Sequence, residues 1–358
     1  MSSEFGGKVK VSIFGESHGE GIGVVIDGLP AGVPVQMDQI GVQLSRRAPG
    51  RDLTSTPRIE EDIPEILSGV FGDHTTGAPL CAVIRNHNTR SRDYEQFMRT
   101  PRPSHADFTS IIRYNGYNDM RGSGHFSGRL TAPLVFAGAI CRSVLEQKGV
   151  FIGGHIHSVA GVFDTPFDPI NTSSAELLAL SSRYFSVINP KAEKSMRKAI
   201  EDARAEGDSV GGTVEIMVRG LPAGVGSPMF DGIENKLSQI IFGIPAVKGL
   251  EFGAGFDFAG MKGSEANDPF AYEGDKVITT KNNNGGVLGG ISTGMPLVYR
   301  AVFKPTPSIS LRQKTVDLRE RKNTEMVIEG RHDPCIVPRA LPVVENASAI
   351  ALLNLVLG

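Results

Sequence analysis

Gly28-Leu29-Pro30-Ala31-Gly32-Val33 occurs twice in this chain, the second time as Gly220-Leu221-Pro222-Ala223-Gly224-Val225. Thirteen residues ahead of each copy stands another matched pair, Gly15-Glu16-Ser17-His18-Gly19 and Gly207-Asp208-Ser209-Val210-Gly211. Residues 23–27 and 213–219, between the anchors, are rich in β-branched side chains, which predicts a strand in each place. Residues 37–47 and 229–242, after the anchors, carry apolar side chains at i, i+3 and i+4, which predicts a helix in each. Further out, Gly69-Val70-x-Gly72 with Thr76-Gly77-x-Pro79-Leu80 matches Gly286-Val287-x-Gly289 with Thr293-Gly294-x-Pro296-Leu297 at identical spacing. A looser pairing sets Pro101-x-Pro103-Ser104-His105 against Pro305-x-Pro307-Ser308-Ile309. Repeats at matched spacing define architecture. The expected fold is α+β, an internally duplicated β-α-β sandwich of two pseudo-twofold related halves. We expect a single domain over 1–358, with halves of about 8–150 and 200–358. The joining segment, about 190–207, carries Arg197/Glu201 and Lys198/Asp202 at i, i+4 and stops at Gly207, so it reads as an exposed helix.

The 358 residues are 40% hydrophobic and 21% charged with a formal net charge of −2, a globular composition that gives no case for nucleic acid. Cys81, Cys141 and Cys335 lie far apart, which disfavours a disulfide framework or a thiolate metal site and fits a reducing compartment. The N-terminal residues lack an apolar leader pattern, and the apolar stretches around 132–140 and 349–357 read as too short for a bilayer, so the expected location is cytoplasmic, without a membrane. The 43 Gly and 22 Pro imply many turns around ligands.

If both halves share a scaffold, chemistry belongs where one departs from the other. His18 corresponds to Val210 and His105 to Ile309, so the scaffold does not require these imidazoles. Between Lys10 and Lys148 there are 13 arginines and no lysine, in a chain with 14 lysines. Arginine's planar fork suits fixed recognition of carboxylate or phosphate. Arg46, Arg47 and Arg51 follow the first helix, and Arg99, Arg102, Arg121 and Arg129 bracket His105. Together these features point to a site for a compact polyanion. The glycine-rich runs 121–129, ahead of an apolar helix over about 132–145, and 284–290 would let backbone N–H groups approach a phosphate or a flat cofactor. Neither has Rossmann or Walker spacing. His155-Ile156-His157 has strand spacing without a nearby third ligand and reads as a solvated face, so no metal is expected.

Phe14-Gly15-Glu16-Ser17-His18-Gly19, Arg102 to Asp107, Arg121 to Ala132, and Gly330-Arg331-His332-Asp333-Pro334-Cys335 resemble, in order, the signatures of the chorismate synthase family. Ala246-Val247-Lys248-Gly249 and Lys304-Pro305-Thr306 also match, and the resemblance runs from about residue 8 to the C-terminus. It implies conversion of 5-enolpyruvylshikimate 3-phosphate to chorismate and phosphate, a 1,4-anti elimination that requires reduced FMN without net redox change. By the same resemblance His18 would neutralise the leaving phosphate with Ser17 positioning the proton. A protonated His105 would stabilise the anionic flavin, and Asp333, with Ser127 in the same network, would be the base for the C6 hydrogen through the flavin. Arg47, Arg102, Arg129 and Arg331 fall at substrate or phosphate positions. FMN contacts carry over to Ser127, Ala246, Gly289, Lys304, Thr306, Ser308 and Arg331. The family is typically a homotetramer, reduced by NADPH or served by an external flavin reductase; no reductase domain is visible here. The commoner third block is Arg-Gly-Gly-Gly-Arg-Ser-Ser-Ala-Arg, whereas this one has His125, Phe126 and Gly128 inside it, and Pro245, Ser104 and Leu53 are further departures. Two rival readings are a non-catalytic flavin- or polyanion-binding paralogue and a metal-dependent hydrolase.

Overall fold

The repeated glycines carry the same backbone burden in both copies. Gly28 and Gly220 have φ of +82° and +81°, and a Cβ on either would lie 1.9 Å from a carbonyl oxygen, that of Lys8 and that of Gly149 respectively. No other residue fits such an approach. The hydrogen bonds are duplicated too. The Thr75 hydroxyl donates to Pro30 O at 2.6 Å and accepts from Val33 N–H at 2.9 Å. Ser292 does the same with Pro222 O at 2.6 Å and Val225 N–H at 2.9 Å.

The computed structural model describes residues 3–50, 52, 54–56, 60–86, 96–328, 330 and 332–358. Two five-stranded antiparallel sheets form from matching strands. The first runs in the order Glu4–Gly6, Lys10–Gly15, Gly21–Asp27, Leu80–Arg85, Pro64–Ser68. The second runs Val162–Phe163, Phe151–Val159, Gly212–Arg219, Leu297–Phe303, Val247–Phe252. Strand Phe151–Val159 thus occupies the place that Lys10–Gly15 has in the first sheet, so the second sheet begins at 151 and not at about 200. Helices Ser174–Leu180 and Pro190–Ala205 are inserted between its first two long strands. That insertion hid the opening strand from a reading anchored at Gly207.

Helices Thr131–Gln147 and Val337–Leu357 pack on each other and on strands of both sheets, forming the layer between them. Their backbones approach so closely that a Cβ on Gly138 would lie 2.2 Å from Asn346 O. Inside this layer the fully buried Glu345 carboxylate accepts from Arg46 at 2.5 Å, with Arg142 at 3.6 Å. Arg46 therefore belongs to the core, while its neighbour Arg47 belongs to the site. The helical stretch Gly128–Gln147 and helix Val337–Leu357 are long and apolar enough to cross a membrane, contrary to the short stretches read from sequence, but 83% and 78% of their most apolar windows are buried inside the protein. Gly138, Asn346 and Ser348 break the apolar run in sequence and are buried nonetheless.

Helix Pro190–Ala205 is capped by the Asn189 side chain, which accepts from Lys191 N–H. The Lys198–Asp202 pair forms at 2.8 Å, whereas Arg197 turns to Glu193 at 2.8 Å and Asp52 at 2.6 Å. Its other face is buried through Ala192, Met196, Ile200 and Ala203, so the helix is amphipathic rather than exposed all round.

Candidate active site

The two turns of the third repeat pair, at Arg102–His105 and Lys304–Ser308, meet at the mouth of one cavity of about 920 Å3. Arg102 is nearly buried and its guanidinium organises this junction. It donates to both oxygens of Asp107, Nε and Nη2 each at 2.8 Å, to the Ser308 hydroxyl at 3.2 Å and to the Ser123 hydroxyl at 3.0 Å. It also stacks over the Phe97 ring at 4.3 Å. The Arg102 guanidinium and the His105 ring therefore share the Asp107 carboxylate, for His105 Nδ1 lies 2.7 Å from its Oδ1. These partners hold Asp107 well below the usual carboxylate range despite its burial. Burial pushes the His105 imidazole down, aided by the Arg102 and Lys304 charges, and outweighs the Asp107 contact. Burial thus favours the neutral imidazole, whereas the resemblance expects a protonated one. The Lys304 ammonium donates to Ser104 O, tying the two turns together.

The glycine-rich run folds as a tight turn before helix Thr131–Gln147. Gly122, Ser123 and Gly124 all have positive φ, of 59°, 70° and 53°. Ser17 N–H donates to Gly124 O at 3.1 Å, which docks the first signature on this turn. The contact is close enough that a Cβ on Gly122 would stand 2.3 Å from His18 Cδ2 and 2.9 Å from Ser17 Oγ. Gly122 lines the cavity, and the buried Ser17 and His18 lie against that glycine rather than in the lining itself. The Ser127 hydroxyl accepts from Arg129 N–H at 3.2 Å and closes the turn.

Also in the lining, Arg47 and Arg129 converge on one pair of carboxylates. Arg47 meets Asp62 at 2.5 Å and Glu60 at 3.5 Å. Arg129 meets Glu60 at 3.0 Å and also pairs with Asp62. Burial disfavours the Arg47 charge, but the two carboxylates overcome it and raise its pKa. Asp333 accepts from Thr56 N–H at 2.8 Å and from Arg339 at 2.6 Å. Among the described residues the lining holds six cations, Arg47, Arg102, Arg129, Lys248, Lys304 and Arg339, against two carboxylates, Glu60 and Asp333. With Asp62 and Asp107 behind them the formal excess is still positive, as a polyanion site requires.

Of the residues expected at the site, Arg47, Arg102, His105, Ser127, Arg129, Ala246, Lys304, Thr306, Ser308 and Asp333 line this cavity. Gly289 does not: it stands exposed at the tip of the hairpin Val287–Leu288/Ile291–Ser292, outside the lining. Arg331 and Arg51 lie outside the described residues. Sequence reasoning left Ser123, Asp107, Glu60, Asp62 and Arg339 unassigned. The signal for Asp107 was present in the quoted block, since a carboxylate five residues after an arginine can close a turn on it.

The reading of His155 and His157 as a solvated pair is also revised. His155 is fully buried and a third group, Glu215, comes from the neighbouring strand in direct register. Both ring nitrogens face carboxylates, Asp164 at 2.8 Å and Glu215 at 2.9 Å. Burial alone would lower the imidazole, but the two carboxylates raise it above its ordinary value. This is an imidazolium clamped between anions, with no nitrogen open to a metal, and it lies outside the cavity lining.

An α+β scaffold of two matched halves, with cations of both gathered around one cavity, fits an enzyme for a small anionic substrate. The model of the chorismate synthase family matches residues 9–357. The chorismate synthase of Dehalococcoides mccartyi is 47% identical over 357 residues, covering 100% of this chain and 97% of the relative. That of Thermococcus gammatolerans is 48% identical over 341 residues, covering 95% and 94%. A crystal structure of a chorismate synthase superposes with a TM-score of 0.77 at 28% identity, covering 99% of this chain and 93% of the other. The chain belongs to the chorismate synthase family, and is a lyase.

Proposed function

We propose that the cavity at the junction of the two turns binds reduced FMN and 5-enolpyruvylshikimate 3-phosphate together and eliminates phosphate to give chorismate. The observation that carries this is the cationic lining around His105. The substrate bears two carboxylates and a phosphate and the cofactor another phosphate, and Arg47, Arg102, Arg129, Lys248 and Lys304 lie where such groups need charge. The fit to FMN rests on space and donors. At about 920 Å3 the cavity stands near the upper end of small-molecule sites, and its glycine-rich wall leaves backbone free to approach a flat ring. Ser127, Ala246, Lys304, Thr306 and Ser308 would hold the cofactor, which supplies electron density to the breaking C–O bond.

The chain's own groups manage charge and protons. His18, with Ser17 beside it, neutralises the leaving phosphate oxygen. Burial favours the neutral form of His105, and an anion bound next to it would favour the charged form. Asp333, oriented by Thr56 N–H and Arg339, takes the C6 proton. Arg47 and Arg129 reach substrate anions by exchanging Glu60 and Asp62 for them. We assign NADPH or an external reductase as the source of electrons, a homotetramer as the assembly and the cytoplasm as the location, all on the family resemblance. Nothing in the relatives supports the non-catalytic paralogue. The test is anaerobic turnover by His18→Ala and His105→Ala. Each should fall by about 100-fold or more with an unchanged unfolding transition; a variant within about twofold of the parent removes that residue from the mechanism.

A further inference from the structure

His105 faces the cavity, yet both of its nitrogens are engaged by protein. Nδ1 lies 2.7 Å from Asp107 Oδ1 and 3.1 Å from Arg102 Nη2, whose two protons go to Asp107 Oδ1 and the Ser123 hydroxyl; a carboxylate can only accept, so the ring proton of the neutral form sits on Nδ1. Nε2 lies 3.3 Å from the Ser123 hydroxyl. That hydroxyl already accepts from Arg102 Nη2 at 3.0 Å, which leaves its own proton to donate to the Nε2 lone pair. Asp107, His105 and Ser123 therefore form a carboxylate–imidazole–hydroxyl chain whose last member lines the cavity. The backbone underlines the point. Ser123 holds φ of +70° between two glycines that also have positive φ, a region that a serine occupies at a cost and glycine occupies freely.

We propose that Ser123 is the outlet of His105: its hydroxyl holds Nε2 and carries the proton that His105 exchanges with whatever anion occupies the cavity. This rests on the reading of His105 as an acid in the proposed elimination. When Nε2 gains a proton, the Ser123 oxygen becomes its acceptor, and the hydroxyl proton turns from the imidazole toward the cavity. The proton comes from the ligand: it bonds to the Ser123 oxygen as the hydroxyl's own proton passes to Nε2, so Ser123 ends as a neutral hydroxyl and the ring as an imidazolium, and the reverse shift returns the proton. Asp107 stays ionised throughout and, with the Arg102 guanidinium it binds, fixes the ring plane, and Lys304 is the remaining charge that faces the imidazole.

Ser123→Gly is the clean perturbation, because glycine relieves the backbone while deleting the hydroxyl. Two readouts separate this proposal from the reaction assigned to the site. The first is the 15N signal of His105 Nε2 in the ligand-free protein, read at a pH where the ring is neutral. It should move toward the value of an unbonded ring nitrogen in Ser123→Gly, and an identical signal in both proteins overturns the proposal whatever the reaction is. The second is anaerobic turnover, where kcat should fall by about 10- to 100-fold with KM within about twofold, the pattern of a group that acts only in the transition state. Ser123→Cys, which restores a proton-bearing side chain, should recover part of kcat. If the nitrogen signal moves but kcat of Ser123→Gly stays within twofold, the hydrogen bond stands and the relay is refuted. If the parent itself gives no chorismate, the elimination reading fails and the relay falls with it, while the nitrogen signal still reports the bond.

Discussion

Gly122→Ala puts one methyl group between the cavity and the pair Ser17/His18. The ideal Cβ lies 2.3 Å from His18 Cδ2, 2.6 Å from Nε2 and 2.9 Å from Ser17 Oγ. Ordinary carbon contacts sit near 3.5–4.0 Å, so the imidazole must retreat by about 1 Å. Ser17 is tethered to the same turn through its N–H on Gly124 O, so the movement falls on the His18 ring. The alanine must also hold φ of +59°, which costs about 1–2 kcal/mol. Stability should fall by about 1–3 kcal/mol in denaturant unfolding, with the slope of the transition unchanged. Turnover should fall by about 100-fold, the effect of a 1 Å misplacement of a reacting group. Gly41→Ala provides the contrast. Gly41 lies within helix Met37–Arg47 with nothing within 4 Å of an added Cβ, so this change should stabilise by about 0.5–1 kcal/mol. Parent-like activity and stability in Gly122→Ala would refute the packing of His18 against that glycine, and with it the placement of the leaving-group acid.

Three further outcomes follow from the charges. The His155 pKa is raised in the folded protein, so its contribution to stability is fully present below its unfolded value near 6.5 and is lost as pH rises through the folded value. His155→Gln should therefore destabilise by about 3–5 kcal/mol near pH 6, by leaving two carboxylates buried together, and by less near pH 9; equal losses at both pH values, read by urea unfolding, would contradict the imidazolium. The His105 pKa is lowered in the free protein, so its NMR titration midpoint should lie below the ordinary histidine value and climb when inorganic phosphate is added; a midpoint that phosphate leaves in place would remove His105 from contact with the bound anion. Asp62→Ala should cost about 3–5 kcal/mol by stripping Arg47 of its closest partner, and phosphate should restore more stability to it than to the parent, as measured by thermal unfolding.

The parts of this fold that were legible are those written in local periodicity. Helix Met37–Arg47 was readable to the residue because its apolar stripe begins and ends sharply, and the paired glycine turns were readable because positive φ and close approach demand glycine in both copies. Strand Phe151–Val159 was not, since the strand it pairs with, Gly212–Arg219, comes only after two inserted helices. The site was legible through asymmetry, the imidazoles and arginines of one half, but their partners were not. Glu60 and Asp62 have no pattern that points at Arg47 and Arg129, and Glu215 reaches His155 across a sheet register that no spacing encodes. Gly289 matched the second repeat pair and shares its turn geometry, and that structural duty is the one it performs here, away from the cavity.

The central claim is an elimination with no net consumption of electrons at the cavity around His105. The most direct measurement is anaerobic incubation of the protein with 5-enolpyruvylshikimate 3-phosphate and a catalytic amount of chemically reduced FMN, with chorismate, phosphate and flavin oxidation state followed together. Chorismate and phosphate should appear in equal amounts over many turnovers while the flavin stays reduced. Phosphate released without chorismate, or one flavin oxidised for each product formed, would contradict it.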